Sequence, residues 1–220
     1  MRKFLNTTKK APDPRIFLVR HGKPEQHSGK IFLGQLDVPL SYKGRHEASL
    51  AGRALVASGA CANRIYTSDL MRAKETADII AEELGGLTVV PDKLFREMAM
   101  GAWDGELIED IKKKFPEEYA KRGDDLRNYR VPGGESFYDL RGRVTREFYR
   151  IFESDILGVA GSPDESPCDL IIVAHLGVVT ALTEELDPEK YPPGEPKFFD
   201  TGSVTMCKVP DWLWSGGSPQ

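Results

Sequence analysis

Two histidines stand directly after short apolar runs, in Arg20-His21-Gly22 and in His175-Leu176-Gly177, and Arg72 and Glu97 lie between them along the chain. An imidazole can attack phosphorus without a metal, provided one ring nitrogen is unprotonated and the other is held by an acceptor. A backbone carbonyl near the first strand would serve as that acceptor for His21. Cleavage of a phosphate ester also needs cations around the dianion and a proton for the leaving oxygen. Arg20 and Arg72 can fork around phosphoryl oxygens, His175 can add a second donor, and Glu97 has the context of the acid. A phosphate beside Glu97 would favour its protonated form, and the same carboxylate could later take a proton from attacking water.

Each residue also has an ordinary role open to it. Arg20 and His21 alone could be a polar strand end, and His175 alone a hydrogen-bonded histidine. Arg72 alone could pair on a helix surface with Glu75 or Glu82, and a lone Glu97 suits a solvated position. Their combination points to catalysis. His46 falls in a predicted helix and receives no role, Trp103, Trp212 and Trp214 suit packing, and the charge run at 107–130 reads as a solvated face that could also cap a pocket.

The elements that must position these groups follow from pattern. Ile16–Val19 and Leu170–Ala174 are continuous apolar runs of the kind that form strands buried on both faces, and they deliver His21 and His175 at their carboxyl ends. Shorter candidates lie at 65–67, 87–90 and 204–209. Helices are predicted from Ser41 to about Ser58, from a Ser68 cap to about Leu84, from Glu135 to about Phe152, and after His175 to about Leu186, with one or two more around Pro116. Long loops run over 23–40 and 91–106, a Gly/Ser/Pro loop over 158–167, and a proline-rich one over 188–196. Strands alternating with helices predict a single α/β domain, a three-layer α/β/α arrangement with a mostly parallel sheet. The domain is expected over 12–210, with 1–11 and 211–220 as terminal extensions.

Composition narrows the partners. The 220-residue chain carries a formal charge of −4, so no global field draws it to nucleic acid or an anionic membrane. Any basic patch must be local. Three scattered cysteines, Cys61, Cys168 and Cys207, suit neither a disulfide framework nor a zinc site. With no signal-like apolar segment before Pro12 and no run long enough to cross a bilayer, the expected setting is the cytoplasm, as a monomer or homodimer acting on a small phosphorylated substrate.

The ordered motifs FLVRHGKPE (17–25), LGQLDVPLSYKG (33–44), IYTSDLMRAKETADII (65–80), FREMAMGAWDGE (95–106), PGGES (132–136) and IIVAHLGVV (171–179) resemble those of the histidine phosphatase, or phosphoglycerate-mutase-like, family. The resemblance spans about Ile16 to Val209. It implies His21 as nucleophile, Arg20, Arg72 and His175 as phosphate partners, Glu97 as acid, a six-stranded sheet with an antiparallel edge, and no required metal or organic cofactor. His27, Gln35, Ser68 and Leu176 are read as substrate contacts. Two positions depart from the family pattern: His27 stands where asparagine is common, and Leu176 where glycine is common. FREMAMGAWDG resembles the phosphatase branch, including alpha-ribazole phosphatases and broad-specificity phosphatases. The expectation is therefore a phosphomonoesterase, with a phosphoglycerate mutase or a binding module without turnover as alternatives.

Overall fold

The two continuous apolar runs become β1 (Arg15–Arg20) and β4 (Leu170–Ala174), buried along nearly their whole length. The computed structural model describes residues 13–25, 29–158 and 168–214. With β2 (Arg64–Thr67), β3 (Thr88–Pro91) and β5 (Val204–Lys208) they form one sheet in the order β3-β2-β4-β1-β5. All neighbours are parallel except β5, which runs antiparallel to β1 at the edge. Five strands are found among the described residues, not the six implied by resemblance. They are the five that the residue pattern marks: β3 is short and largely unburied, and ends at Pro91, which has no N–H to extend a ladder.

Side chains alternate between the two faces. Phe17, Val19, Ile65, Ile171 and Val173 meet Ala51 and Leu55 of α1 (Tyr42–Ala57) and Ala77 and Ile80 of α2 (Met71–Glu83). The opposite face, with Ile16, Leu18, Leu170 and Ile172, packs on α5 (Phe137–Phe152) and α6 (Leu176–Leu186). The short α3 (Ile108–Lys114) and α4 (Pro116–Asp124) carry the charge run, joined at Pro116 as the sequence suggests. Trp103 packs in a satellite cluster with Met100, Ile111 and Val131. At the end of the described chain α7 (Asp211–Trp214) buries Leu213 in the main core and sets Trp212 and Trp214 against Tyr149 and Phe152. The loop at 159–167, the extension at 1–11 and the tail beyond Trp214 lie outside the described residues.

Caps account for the helix starts, with one correction. Ser41 accepts from the Gly44 N–H at 3.1 Å and opens α1, and Gly59 ends it at φ 66. Ser68 does not cap α2. The strand ladder continues through it, its N–H reaching the Val173 carbonyl, and its hydroxyl accepts from Leu70 instead. The cap comes from across the structure: Asp37 accepts from the Met71 N–H at 2.7 Å.

Ser136 and Asp139 form a reciprocal capping box at the start of α5. Ser136→Ala should lower stability by about 1 kcal/mol, seen as a fall of roughly 2–4 °C in Tm. No change on denaturation would show that this box does not hold the helix.

Candidate active site

β1 and β4 are neighbours, with Arg20 in register with Ala174, and the His21 N–H continues the ladder to the Ala174 carbonyl at 2.9 Å. The two histidines therefore emerge side by side, their ring centroids 5.0 Å apart in an edge-on arrangement. His21 is almost wholly buried and His175 wholly so. Nδ1 of His21 lies 2.7 Å from the Gly22 carbonyl oxygen, which makes Nδ1–H the donor and leaves Nε2 with its lone pair. The acceptor is thus the next residue's own backbone.

The turn that makes this bond is fixed from two sides. Thr76, one turn after Arg72 on α2, accepts from the Gly22 N–H at 3.0 Å while donating to the Arg72 carbonyl at 2.7 Å. Gly22 also passes so close to the start of α1 that a Cβ on it would lie 2.2 Å from the Gly44 carbonyl oxygen.

Arg20 and Arg72 flank the histidines. Arg20 donates Nη1 to the Phe199 carbonyl. Arg72 is buried, and donates Nη1 and Nη2 to the carbonyls of Leu36 and Gly34, each at 2.7 Å, so it pins the long loop as well as facing the site. Among the described residues, the buried side-chain polar atoms without a partner are Nε of both arginines and both ring nitrogens of His175. Unpaired polar atoms are costly when buried, and the two Nε–H groups together with the single N–H of a neutral His175 are suited to an anionic ligand with several acceptor oxygens.

Burial first, and then Arg72 and Arg20, depress His21 to about 3, against the opposing hydrogen bond to Gly22. His175 is likewise held well below the ordinary histidine value by burial, Arg72 and His21. Burial brings Arg72 down to about 10, and lowers Arg20, with Glu97 working against the shift in both. Near neutral pH the site thus holds two neutral imidazoles between two guanidinium cations.

Glu97 closes the site from the 91–106 loop. Its Oε1 accepts from the Met98 N–H at 2.9 Å and Oε2 from the Gly177 N–H at 3.2 Å. A Cβ on Gly177 would stand 2.4 Å from Oε1, so any side chain there would force the carboxylate to shift from this position. These groups face a cavity of about 1020 Å³. Its lining includes seven basic and four acidic side chains, the local positive patch that a chain of net charge −4 does not show overall.

The sequence-predicted residues fall into three groups. Arg20, His21, Arg72 and Glu97 line the cavity and His175 packs on His21, while Leu176 adds an apolar wall beside them. Gln35 and Ser68 are not lining residues: the Gln35 amide donates to the Glu97 carbonyl at 3.0 Å, and Ser68 is buried in the strand-to-helix turn. His27 lies outside the described residues. Sequence reasoning missed Glu135 and Arg143. Arg143 bonds both Glu135 oxygens and the Leu94 and Glu97 carbonyls, and Glu135 accepts from the Ala99 N–H, so the pair braces the loop that carries Glu97. The PGGES motif holds Glu135, but its partner sits two helical turns onward with nothing local to mark it.

Residues 16–214 match the histidine phosphatase superfamily (branch 1). The chain is 36% identical to a 2,3-bisphosphoglycerate-dependent phosphoglycerate mutase of Azorhizobium caulinodans, covering 80% of this chain and 84% of that protein. A mycobacterial glucosyl-3-phosphoglycerate phosphatase superposes with a TM-score of 0.71 at 28% identity, covering 88% of this chain and 89% of its own. An Escherichia coli structure described as a putative alpha-ribazole-5'-P phosphatase shares the fold, with a TM-score of 0.72 at 21% identity over 90% of this chain and 92% of that one. Among the described residues no cluster of His, Cys, Asp and Glu is placed to hold a metal ion, and no helix is long and apolar enough to cross a membrane.

The depressed histidines make stability depend on pH. An unfolded chain protonates His21 near pH 6.5, whereas the native state does so only near 3, so its contribution is full above pH 6.5 and is lost as pH falls through that window. The ring signals of His21 should not titrate by NMR between pH 5 and 8, and Tm should fall on acidification from pH 6.5 more steeply than in His21→Gln. A His21 midpoint near 6.5 would mean a solvated ring.

Proposed function

Because the chain belongs to the histidine phosphatase superfamily, we propose that it is a phosphomonoesterase acting on a small phosphorylated metabolite through a phosphohistidine on His21. The observation that carries this reading is the His21 ring, locked in one tautomer by the Gly22 carbonyl and kept neutral between Arg20 and Arg72.

The phosphoryl oxygens sit among Arg20, Arg72 and His175, where two cations and a neutral N–H offset their charge. His21 Nε2 forms a bond to phosphorus as the bond from phosphorus to the ester oxygen breaks, and Glu97 gives its proton to the departing alkoxide. In the second half-reaction Glu97 takes a proton from water, whose oxygen bonds phosphorus while the bond from phosphorus to Nε2 breaks. Inorganic phosphate leaves and both residues return to their starting states. Leu176, which lines the cavity next to His175, restricts the space beside the phosphate and so acts on substrate choice.

Kinship with phosphoglycerate mutases favours a second reading, in which the phosphoryl group returns to a phosphoglycerate and a bisphosphate primer is required. The sequence around Glu97 favours hydrolysis. Phosphate release in EDTA from p-nitrophenyl phosphate, alpha-ribazole phosphate and the phosphoglycerates separates the two. His21→Ala should reduce it by at least about a thousandfold. Activity that survives this change would overturn the mechanism, and vanadate binding without any turnover would point to a binding module.

The proton donor has its own signature. Glu97→Gln should slow cleavage of alkyl phosphates by roughly 10²–10⁴-fold but affect p-nitrophenyl phosphate far less, since its leaving group needs no proton. Gly177→Ala should show the same pattern, because its Cβ displaces the carboxylate. Equal losses on both ester types would remove Glu97 from that role.

A further inference from the structure

Beyond Arg20, His21 and Arg72, the cavity is lined by two segments far apart in sequence, 122–127 at the end of α4 and 194–197 in the loop after α6, which we term its outer walls. Both are fastened to one group. Glu184, in the third turn of α6, has a side chain that is 0% exposed, and its carboxylate accepts from Arg127 at 2.7 and 3.1 Å and from Lys197 Nζ at 2.9 Å. Lys197 is itself only 6% exposed and also donates to the carbonyls of Pro192 and Glu195, closing its loop on itself. The Arg127 guanidinium lies 4.7 Å from the ring centre of Phe137, another wall residue.

Holding three segments together does not require ions. Apolar side chains of similar volume would do so as well or better, because each buried charge must be desolvated. What the triad supplies is geometry, since charge-assisted hydrogen bonds fix direction and separation where apolar contacts tolerate sliding. Burial alone would push the Glu184 carboxyl up, but the bonds and charges of Arg127 and Lys197 hold it below the ordinary glutamate value, so the anchor stays ionised near neutral pH. The helix that carries it begins immediately after His175, which ties the outer walls to the phosphate end through one rigid element.

We propose that Glu184 is a specificity-positioning residue: through Arg127 and Lys197 it sets the spacing of the two outer walls, and so which alcohols can extend from a phosphate held at His21. This rests on the hydrolytic reading above and deepens it. At about 1020 Å³ the cavity is at the upper end for small-molecule sites, so wall spacing matters most for bulky alcohols.

The test uses Glu184→Gln and Lys197→Met; the latter leaves the Arg127 pair intact and keeps the comparison valid if the former fails to fold. Kinetics on p-nitrophenyl and α-naphthyl phosphate report on the outer pocket, and the Kd of orthovanadate on the phosphate end alone. KM should rise by about fivefold or more, most for the naphthyl ester, with kcat and vanadate Kd within about threefold, and Lys197→Arg should restore KM. Unchanged KM, or KM, kcat and vanadate Kd worsening together, would overturn the proposal. If the wild type releases no phosphate from either ester, the hydrolytic reading fails, and competition of the same esters against vanadate then tests the wall spacing independently.

Discussion

An unprotonated imidazole held between two guanidinium groups, almost out of reach of water, is the arrangement on which the rest of the site depends. Burial and the two positive charges act in the same direction on His21, and both oppose its protonation. The Gly22 carbonyl then decides which nitrogen keeps the proton. Cations that would repel a protonated histidine attract a phosphoryl dianion, so the features that hold the ring neutral also prepare the site for its ligand. The arrangement is unfavourable without an anion, as the unpartnered Nε atoms of Arg20 and Arg72 show. Anion binding is accordingly expected to stabilise the fold through linkage.

Backbone proximity sets where the groups of the site lie. Gly22 lets the turn after β1 press against the start of α1, and Gly177 lets Glu97 meet the first turn of α6. Around these contacts a polar framework holds the loops. Arg72 takes the carbonyls of Gly34 and Leu36, Gln35 and Arg143 share the Glu97 carbonyl, and Glu135 holds both Arg143 and the Ala99 N–H. Glu97 is therefore carried on an irregular segment whose backbone is tied from two sides, which gives a loop residue the positional definition of one in a helix.

Charge is distributed to match. The chain is acidic overall, yet basic side chains gather at the carboxyl end of the sheet, where β1 and β4 end and the first turn of α6 begins. Several cations there are already engaged: Arg127 and Lys197 by Glu184, Arg72 by loop carbonyls. Engagement lowers their freedom, and because one carboxylate is shared by two cations and the Arg72 partners are neutral carbonyls, a positive charge is left at each place.

The sequence by itself determined the strands that carry the histidines, the alternation that buries each face of the sheet, and the residues Arg20, His21, Arg72 and Glu97 that meet at one cavity. Apolar runs, caps such as Ser41 and the motifs around His21 and His175 are local patterns, set by interactions a few residues apart. Only the tertiary structure decided what those residues bond to. Asp37 rather than Ser68 caps α2, Gln35 holds a carbonyl instead of lining the cavity, and Glu184 joins segments from either side of it in the chain. The sheet closes at five strands because nothing described pairs beyond β3. Polar partners 34 to 80 residues apart, as in Asp37 to Met71 and Glu97 to Gly177, leave no periodic trace, because their meeting depends on how whole elements pack.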